Sequence, residues 1–184
     1  MNFAIEVTKE VLKVARAENP EAIVGYRISP EEIHGEMVGY DLDDSLKLID
    51  KLLEQDLDFL DLSSAAGGNF GKDAYKAMPQ RGDFTEPVSL VIKKFVAGRV
   101  PVVISGTIRS ADEALDALKY GDVASMGVAA LSDPDFKEKI LADNEETIHM
   151  NVKGHTEDLE LPSGLIEVYT AGIGLPQVEG LIEK

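Results

Sequence analysis

Two short apolar runs, each leading to a glycine and separated by an amphipathic helical stretch, constrain this chain more than any other feature. They lie in Pro101–Phe136 (PVVISGTIRSADEALDALKYGDVASMGVAALSDPDF). Val102–Ile104 leads to Gly106, Val123–Met126 leads to Gly127, and the helical pattern between them opens at Ser110. Strand, helix and strand in this order form a right-handed β-α-β unit with parallel strands. In a (β/α)8 barrel the last two strands often carry a phosphate site. Their C-terminal loops and the N-terminus of a short extra helix point backbone N–H groups at the anion. Val128–Leu131, ahead of Ser132-Asp133-Pro134, has the length of such a helix. Ordinary βα turns use glycine too, so a phosphate site and a plain turn are equally open at this point.

The rest of the chain repeats the unit. Residues 2–18 place Phe3, Val7, Val11 and Val14 on one helical face, and Asn19-Pro20 ends that helix. Ala22–Ile28 reads as a strand closed by Ser29-Pro30, followed by a loop with Gly35 and Gly39. Leu42, Leu46, Ile49 and Leu53 mark a second helix, with Asp41, Asp43 and Asp44 at its N-terminal end opposing the dipole. Leu57–Leu62 alternates like a strand, and a glycine-bearing loop spans Ser63–Asp83. Val88–Phe95 carries a third helix, and further helices are expected at Phe136–Leu141 and around Leu165–Ala171. Strands therefore begin near residues 22, 57, 101 and 122, alternating with helices over a single domain, 1–184. Four parallel strands with crossover helices fit an open sheet or part of a barrel.

Composition narrows the partners. Hydrophobic residues are 44 %, enough for a core, and no apolar run is long enough to span a membrane. The absence of cysteine excludes disulfides and thiolate metal sites. The N-terminus lacks the basic start and unbroken apolar segment of a signal peptide, so a cytoplasmic location is expected. At a net charge of −16 the surface repels nucleic acid and anionic lipid. Glu31–Asp61 holds eleven acids and two bases, read as a solvated outer helix face. An anionic ligand must be held by local features working against that field.

Other motifs fail on their spacing. Gly67–Lys72 hints at a phosphate loop, but Ala66 and Asp73 break the pattern at both ends. Asp41-Leu42-Asp43 has Leu46 and Leu52 where a calcium loop needs glycine and glutamate. His34, His149 and His155 have no metal-ligand spacing, no Ser/His/Asp arrangement is recognisable, and Arg81-Gly82-Asp83 is an adhesion tripeptide by spelling only.

Four blocks, VGYRISPEEIHG (Val24–Gly35), LDFLDLSS (Leu57–Ser64), VVISGTI (Val102–Ile108) and MGVAALSDPDF (Met126–Phe136), resemble the old yellow enzyme family in order and spacing. These are FMN-dependent NADH:flavin oxidoreductases on a (β/α)8 barrel, and the likeness is to strands five to eight. The resemblance implies an α/β partial barrel of about four parallel strands. It also implies FMN as cofactor, NAD(P)H as hydride donor and an electron-poor acceptor. Arg27 matches the arginine against the flavin pyrimidine edge, where a guanidinium stabilises charge at N1–O2; without the resemblance it reads as a barrel-mouth salt bridge. Ser63 or Ser64 matches a cofactor-facing position of strand six, and by itself either is as well a turn residue. Gly106 and Gly127 match glycines whose N–H groups approach the FMN phosphate, with Thr107 part of that amide nest.

Two departures qualify the match. Val128 stands where the family has a phosphate-clamping arginine, removing charge-assisted hydrogen bonds worth about 1.5–3 kcal/mol each. The family's first four strands, with its His or His/Asn pair and its tyrosine, have no counterpart. No catalytic or metal-ligating residue is assigned, and the three histidines match none of the missing positions. Open sheet edges in so short a barrel imply a homo-oligomer or a separate N-terminal half. The alternative is a non-catalytic, truncated half-barrel that self-associates or binds flavin or phosphate weakly.

Overall fold

A computed structural model describes residues 2–63, 73–171 and 178–181. The strands are β1 (Gly25–Ile28), β2 (Glu32–His34), β3 (Met37–Tyr40), β4 (Phe59–Leu62), β5 (Val102–Ser105) and β6 (Val123–Ser125). The helices are α1 (Asn2–Glu18), α2 (Leu42–Leu52), α3 (Val88–Val96), α4 (Ala111–Ala117), α5 (Val128–Ser132), α6 (Phe136–Leu141) and α7 (Ser163–Thr170). Two 3₁₀ turns, Ala74–Lys76 and Glu145–Thr147, lie between them.

Local chemistry sets the boundaries. The Asp41 carboxylate accepts the Asp44 N–H at 3.2 Å and starts α2, with Asp43 and Asp44 in its first turn. Ser110 accepts the Glu113 N–H at 3.2 Å, and Glu113 reaches back to the Arg109 N–H at 2.7 Å, so a Ser-x-x-Glu pair opens α4. α3 ends where Ala97 and then Gly98 turn left-handed, at φ 51 and 74.

The chain divides into two compact units, Met1–Gly106 with Leu115–Ser125, and Thr107–Ala114 with Met126–Lys184. The first holds a parallel sheet in the order β1-β4-β5-β6. Successive parallel strands lie side by side with no reversal of strand order, whereas a doubly wound sheet reverses at a switch point. The helices follow the same sequence, α1 packing on α2 and α2 on α3. One sheet face is sealed by them: Leu60, Leu62, Val102 and Ile104 are at most 1 % exposed. Beneath α1 and α2, Leu12, Leu52 and Leu57 cluster with Val24, Tyr26 and Leu48.

Because side chains alternate along a strand, the opposite face carries Gly25 and Arg27, Phe59 and Asp61, Val103 and Ser105, Val123 and Ser125. None of these eight is buried. Phe59 lies across Gly25 so closely that a Cβ there would sit 2.2 Å from its ring.

In the second unit Asp133 is the anchor. Its Oδ2 accepts from Lys139 Nζ at 2.6 Å and from the His149 N–H at 2.9 Å, beside the buried Phe136. Burial pushes the Asp133 carboxyl up, but those donors outweigh it and hold the group below the usual carboxylate range. A backbone bond from Val152 to Glu179, at 2.8 Å, ties down the last described residues.

Two expectations change. The loop with Gly35 and Gly39 is an antiparallel hairpin, β2 paired with β3, which turns at Gly35 (φ 62). Strands of three and four residues are too short to show a period. The stripe Phe3, Val7, Val11 and Val14 is exposed, whereas α1 buries Thr8 and Leu12. Among the described residues no helix is long and apolar enough to cross a membrane.

Candidate functional site

The carboxyl ends of the parallel strands gather polar groups on the uncovered face. Pairing of β1 with β4 sets Arg27 opposite Asp61. The Arg27 Nε lies 3.6 Å from Asp61 Oδ2, and Nη2 donates to Ser63 Oγ at 3.4 Å. Ser63 is held there because its N–H continues the ladder to the Ile28 carbonyl at 2.9 Å. The Arg27 side chain is 67 % exposed, so this ion pair is loose and contributes little to stability. The structure thus brings together Arg27 and Ser63. Ser64 and the Gly67–Lys72 segment lie outside the described residues.

Gly106 directly follows β5. The Tyr75 ring packs against it, and a Cβ at Gly106 would lie 2.7 Å from Tyr75 Cδ1. Tyr75 is nearly fully buried, with its hydroxyl 3.2 Å from both Asp73 Oδ1 and Asp116 Oδ2. Its ring meets Tyr120 at a centroid distance of 5.5 Å, and Ser89 donates to its carbonyl. Burial, and then hydrogen bonding to Asp116 and Asp73, raise the Tyr75 phenol well above its ordinary range. Lys76 Nζ is 2.5 Å from Asp116 Oδ2, and Lys119 adds a second contact at 2.9 Å. These hydrogen bonds, Lys76 first, lower Asp116 to about 2.

Tyr75 and Asp116 are the residues that sequence reasoning missed. They stand 41 positions apart, one in a loop and one on an amphipathic helix face, and no spacing rule connects them.

Thr107, Gly127 and Val128 belong to the second unit, and Arg27, Ser63 and Gly106 to the first. Gly127 precedes α5, and its carbonyl accepts the Leu131 N–H at 3.0 Å. Among the described residues, no atom other than those of its own chain neighbours lies within 4 Å of where its Cβ would be. Val128 opens α5, the short helix expected there. Among the described residues no cluster of three or more His, Asp or Glu is placed to hold a metal.

No family model matches the chain. Over 166 residues it is 31 % identical to a probable NADH-dependent flavin oxidoreductase of Bacillus subtilis, covering 89 % of this chain and 42 % of that protein. Over 169 residues it is 30 % identical to the NADH:acrylate oxidoreductase of Vibrio harveyi, covering 91 % of this chain and 16 % of that one. The chain is related to the old yellow enzyme-like flavin oxidoreductases. It spans about two fifths of the Bacillus relative's length and about a sixth of the Vibrio one's. A solved complex of 2-naphthoyl-CoA reductase with 2-naphthoyl-CoA superposes with a TM-score of 0.59 at 19 % identity, over 80 % of this chain and 22 % of that one. That likeness is one of fold, and it agrees with the strand order: the architecture is a partial (β/α)8-like barrel with four parallel strands.

Proposed function

We propose that residues 1–184 form one domain, which corresponds to the C-terminal half of an FMN-dependent NAD(P)H oxidoreductase barrel and works in the cytoplasm. The observation that carries this is the exposed Arg27 guanidinium at the carboxyl end of β1. It is flanked by Asp61 and Ser63 on the face that a closed barrel turns inward.

The residues present fit such a cofactor in part. Only two of the guanidinium's five N–H groups point to partners among the described residues, so donors remain for an anionic flavin edge. Asp61 and Ser63 would orient Arg27, and the open backbone at Gly127 would admit a phosphate. Val128 supplies no charge to it. When bound, FMN supplies the hydride relay from NAD(P)H to an electron-poor acceptor. The acrylate in the Vibrio relative's name is an acceptor of that class.

Because the chain spans only part of its relatives, catalysis is assigned to the completed barrel. The chain alone with added FMN should reduce an activated alkene no faster than free flavin does. A second reading, a non-catalytic half-barrel with weak flavin or phosphate affinity, is favoured by Val128.

Val128→Arg tests the phosphate site. A guanidinium there can pair bidentately with a phosphate dianion, so FMN affinity should rise about tenfold or more, roughly 1.4 kcal/mol per decade. Riboflavin, which lacks the phosphate, should gain little. Titration by flavin fluorescence quenching measures both. Equal FMN affinity in the two proteins would remove the phosphate site, and a matching gain for riboflavin would mean stacking on the new arginine.

A further inference from the structure

We infer that Asp61 sets the redox balance of the flavin site: its carboxylate offsets the Arg27 guanidinium and limits how far the site favours reduced over oxidised cofactor. The inference rests on the flavin-barrel reading above and makes Asp61 a positioning residue of that site, acting through Arg27.

The argument starts from the register of the sheet. Arg27 of β1 stands opposite Asp61 of β4, and Val103 of β5 flanks Asp61 on its other side. Of the eight residues on the uncovered face, Arg27 and Asp61 alone carry charge, so this face sums to zero in a chain of −16. Among the described residues Arg27 is the ion-pair partner of Asp61, with Nε 3.6 Å from Oδ2. The Asp61 side chain is 21 % exposed and that of Arg27 67 %, so the carboxylate is the more enclosed and the guanidinium the more open to a ligand.

Folding does not account for this pair, because an ion pair so exposed contributes little to stability. Orientation does not require it either, since Ser63 Oγ already accepts from Nη2 at 3.4 Å. What Asp61 adds is charge. The nicotinamide donor is oxidised as it gives up a hydride, two electrons and one proton, and the flavin's pyrimidine edge then carries one more negative charge. An unopposed guanidinium would favour that form over the oxidised one. A carboxylate beside the guanidinium subtracts from the preference, since its field reaches across a few ångström of partly screened space. Reduced flavin is then held loosely enough to pass its hydride to the acceptor.

Asp61→Asn keeps the shape of the side chain and removes its charge. With the chain saturated by FMN, fluorescence quenching gives the affinity for the oxidised cofactor. Anaerobic equilibration with a reference dye gives the midpoint potential of the bound flavin. Asp61→Asn should favour reduced over oxidised FMN by about tenfold more than wild type does, an upward shift of about 30 mV for a two-electron couple. Asp61→Glu, which restores the charge, should stay near the wild-type potential. Arg27→Ala should lower the potential, and Arg27→Ala with Asp61→Asn, which removes a neutral pair, should return it to near wild type. Ser63→Ala removes a contact without charge, so it should weaken both oxidation states together. A potential that Asp61→Asn leaves unchanged or lowers overturns the inference. So does an equal rise in Ser63→Ala, because lost orientation would then explain the shift. Asp61→Ser is a second neutral variant, read in the same way should Asp61→Asn not keep an α/β circular dichroism spectrum. The reading underneath fails separately. A folded wild type that takes up no FMN removes the flavin site and the inference with it, whereas bound FMN with equal potentials in wild type and Asp61→Asn removes the inference alone.

Discussion

The two faces of the parallel sheet are built from the same four strands and differ in almost everything else. On the helix side, Leu60, Leu62, Val102 and Ile104 are sealed under α1, α2 and α3. On the other side, glycine, serine, an ion pair and half-covered Phe59 and Val103 face away from the helices. The first face is stability, with each buried aliphatic side chain contributing about 1.5–3 kcal/mol. The second carries polar and half-exposed side chains, none of them buried, so the same four strands present a packed core on one side and an open, mixed face on the other.

The largest test of this contrast is a pair of truncations. Leu60→Ala should cost about 2–5 kcal/mol in chemical denaturation, because a rigid, fully buried site leaves a cavity. Val103→Ala, on the open face, should cost under about 1 kcal/mol, within the range of partly exposed sites. Equal losses would abolish the distinction between the faces.

Next in size are the two glycines pressed by aromatic rings. Gly25→Ala drives a methyl into the Phe59 ring, and Gly106→Ala drives one into Tyr75. Each should lose about 1–3 kcal/mol by overpacking. Gly25→Ala combined with Phe59→Ala should lose less than the sum of the two single changes, a coupling that the double-mutant cycle reads directly.

The Tyr75 cluster gives a pH signature. Asp116 lies near 2 in the folded chain against an ordinary 3.8, so its contribution is present above 3.8 and disappears as pH falls toward 2. The Tm gap between wild type and Asp116→Asn should be open at pH 7 and close between about pH 4 and 2. A gap independent of pH would show that the pairs with Lys76 and Lys119 carry no weight. Tyr75 has the opposite sign: its folded form holds its proton, so that stabilisation is present below 10 and is lost as pH rises. In an alkaline absorbance titration the ionisation step that Tyr75→Phe removes should lie well above the ordinary phenol range.

The smallest effect on stability belongs to the residue with the most interesting position. Arg27→Ala should change unfolding by no more than about 0.5 kcal/mol, since its ion pair is exposed. The same substitution should weaken flavin binding clearly in fluorescence titration. A large stability loss with unchanged flavin affinity would return Arg27 to a structural salt bridge.

Much of this architecture is legible in the sequence because it is local. Parallel strands buried on one side announce themselves as short apolar runs, Asp41 and the Ser110–Glu113 pair announce helix starts, and glycines mark the strand ends. Order and spacing of four such blocks sufficed to place the chain beside the flavin oxidoreductases, whereas the 3.4 Å contact of Arg27 with Ser63 joins two strand ends 36 positions apart and had to be read from the structure. What only the tertiary structure decided depends on separations that no local period encodes. Periodicity put Phe3, Val7, Val11 and Val14 on one face of α1, yet it cannot tell a face turned to the core from one turned outward. The hairpin of β2 and β3 is too short to show alternation. The Tyr75–Asp116 contact joins residues 41 positions apart. Gly106 carries the same residue type whether a phosphate or a tyrosine ring approaches it, and only packing shows that Tyr75 occupies the space left by the missing Cβ.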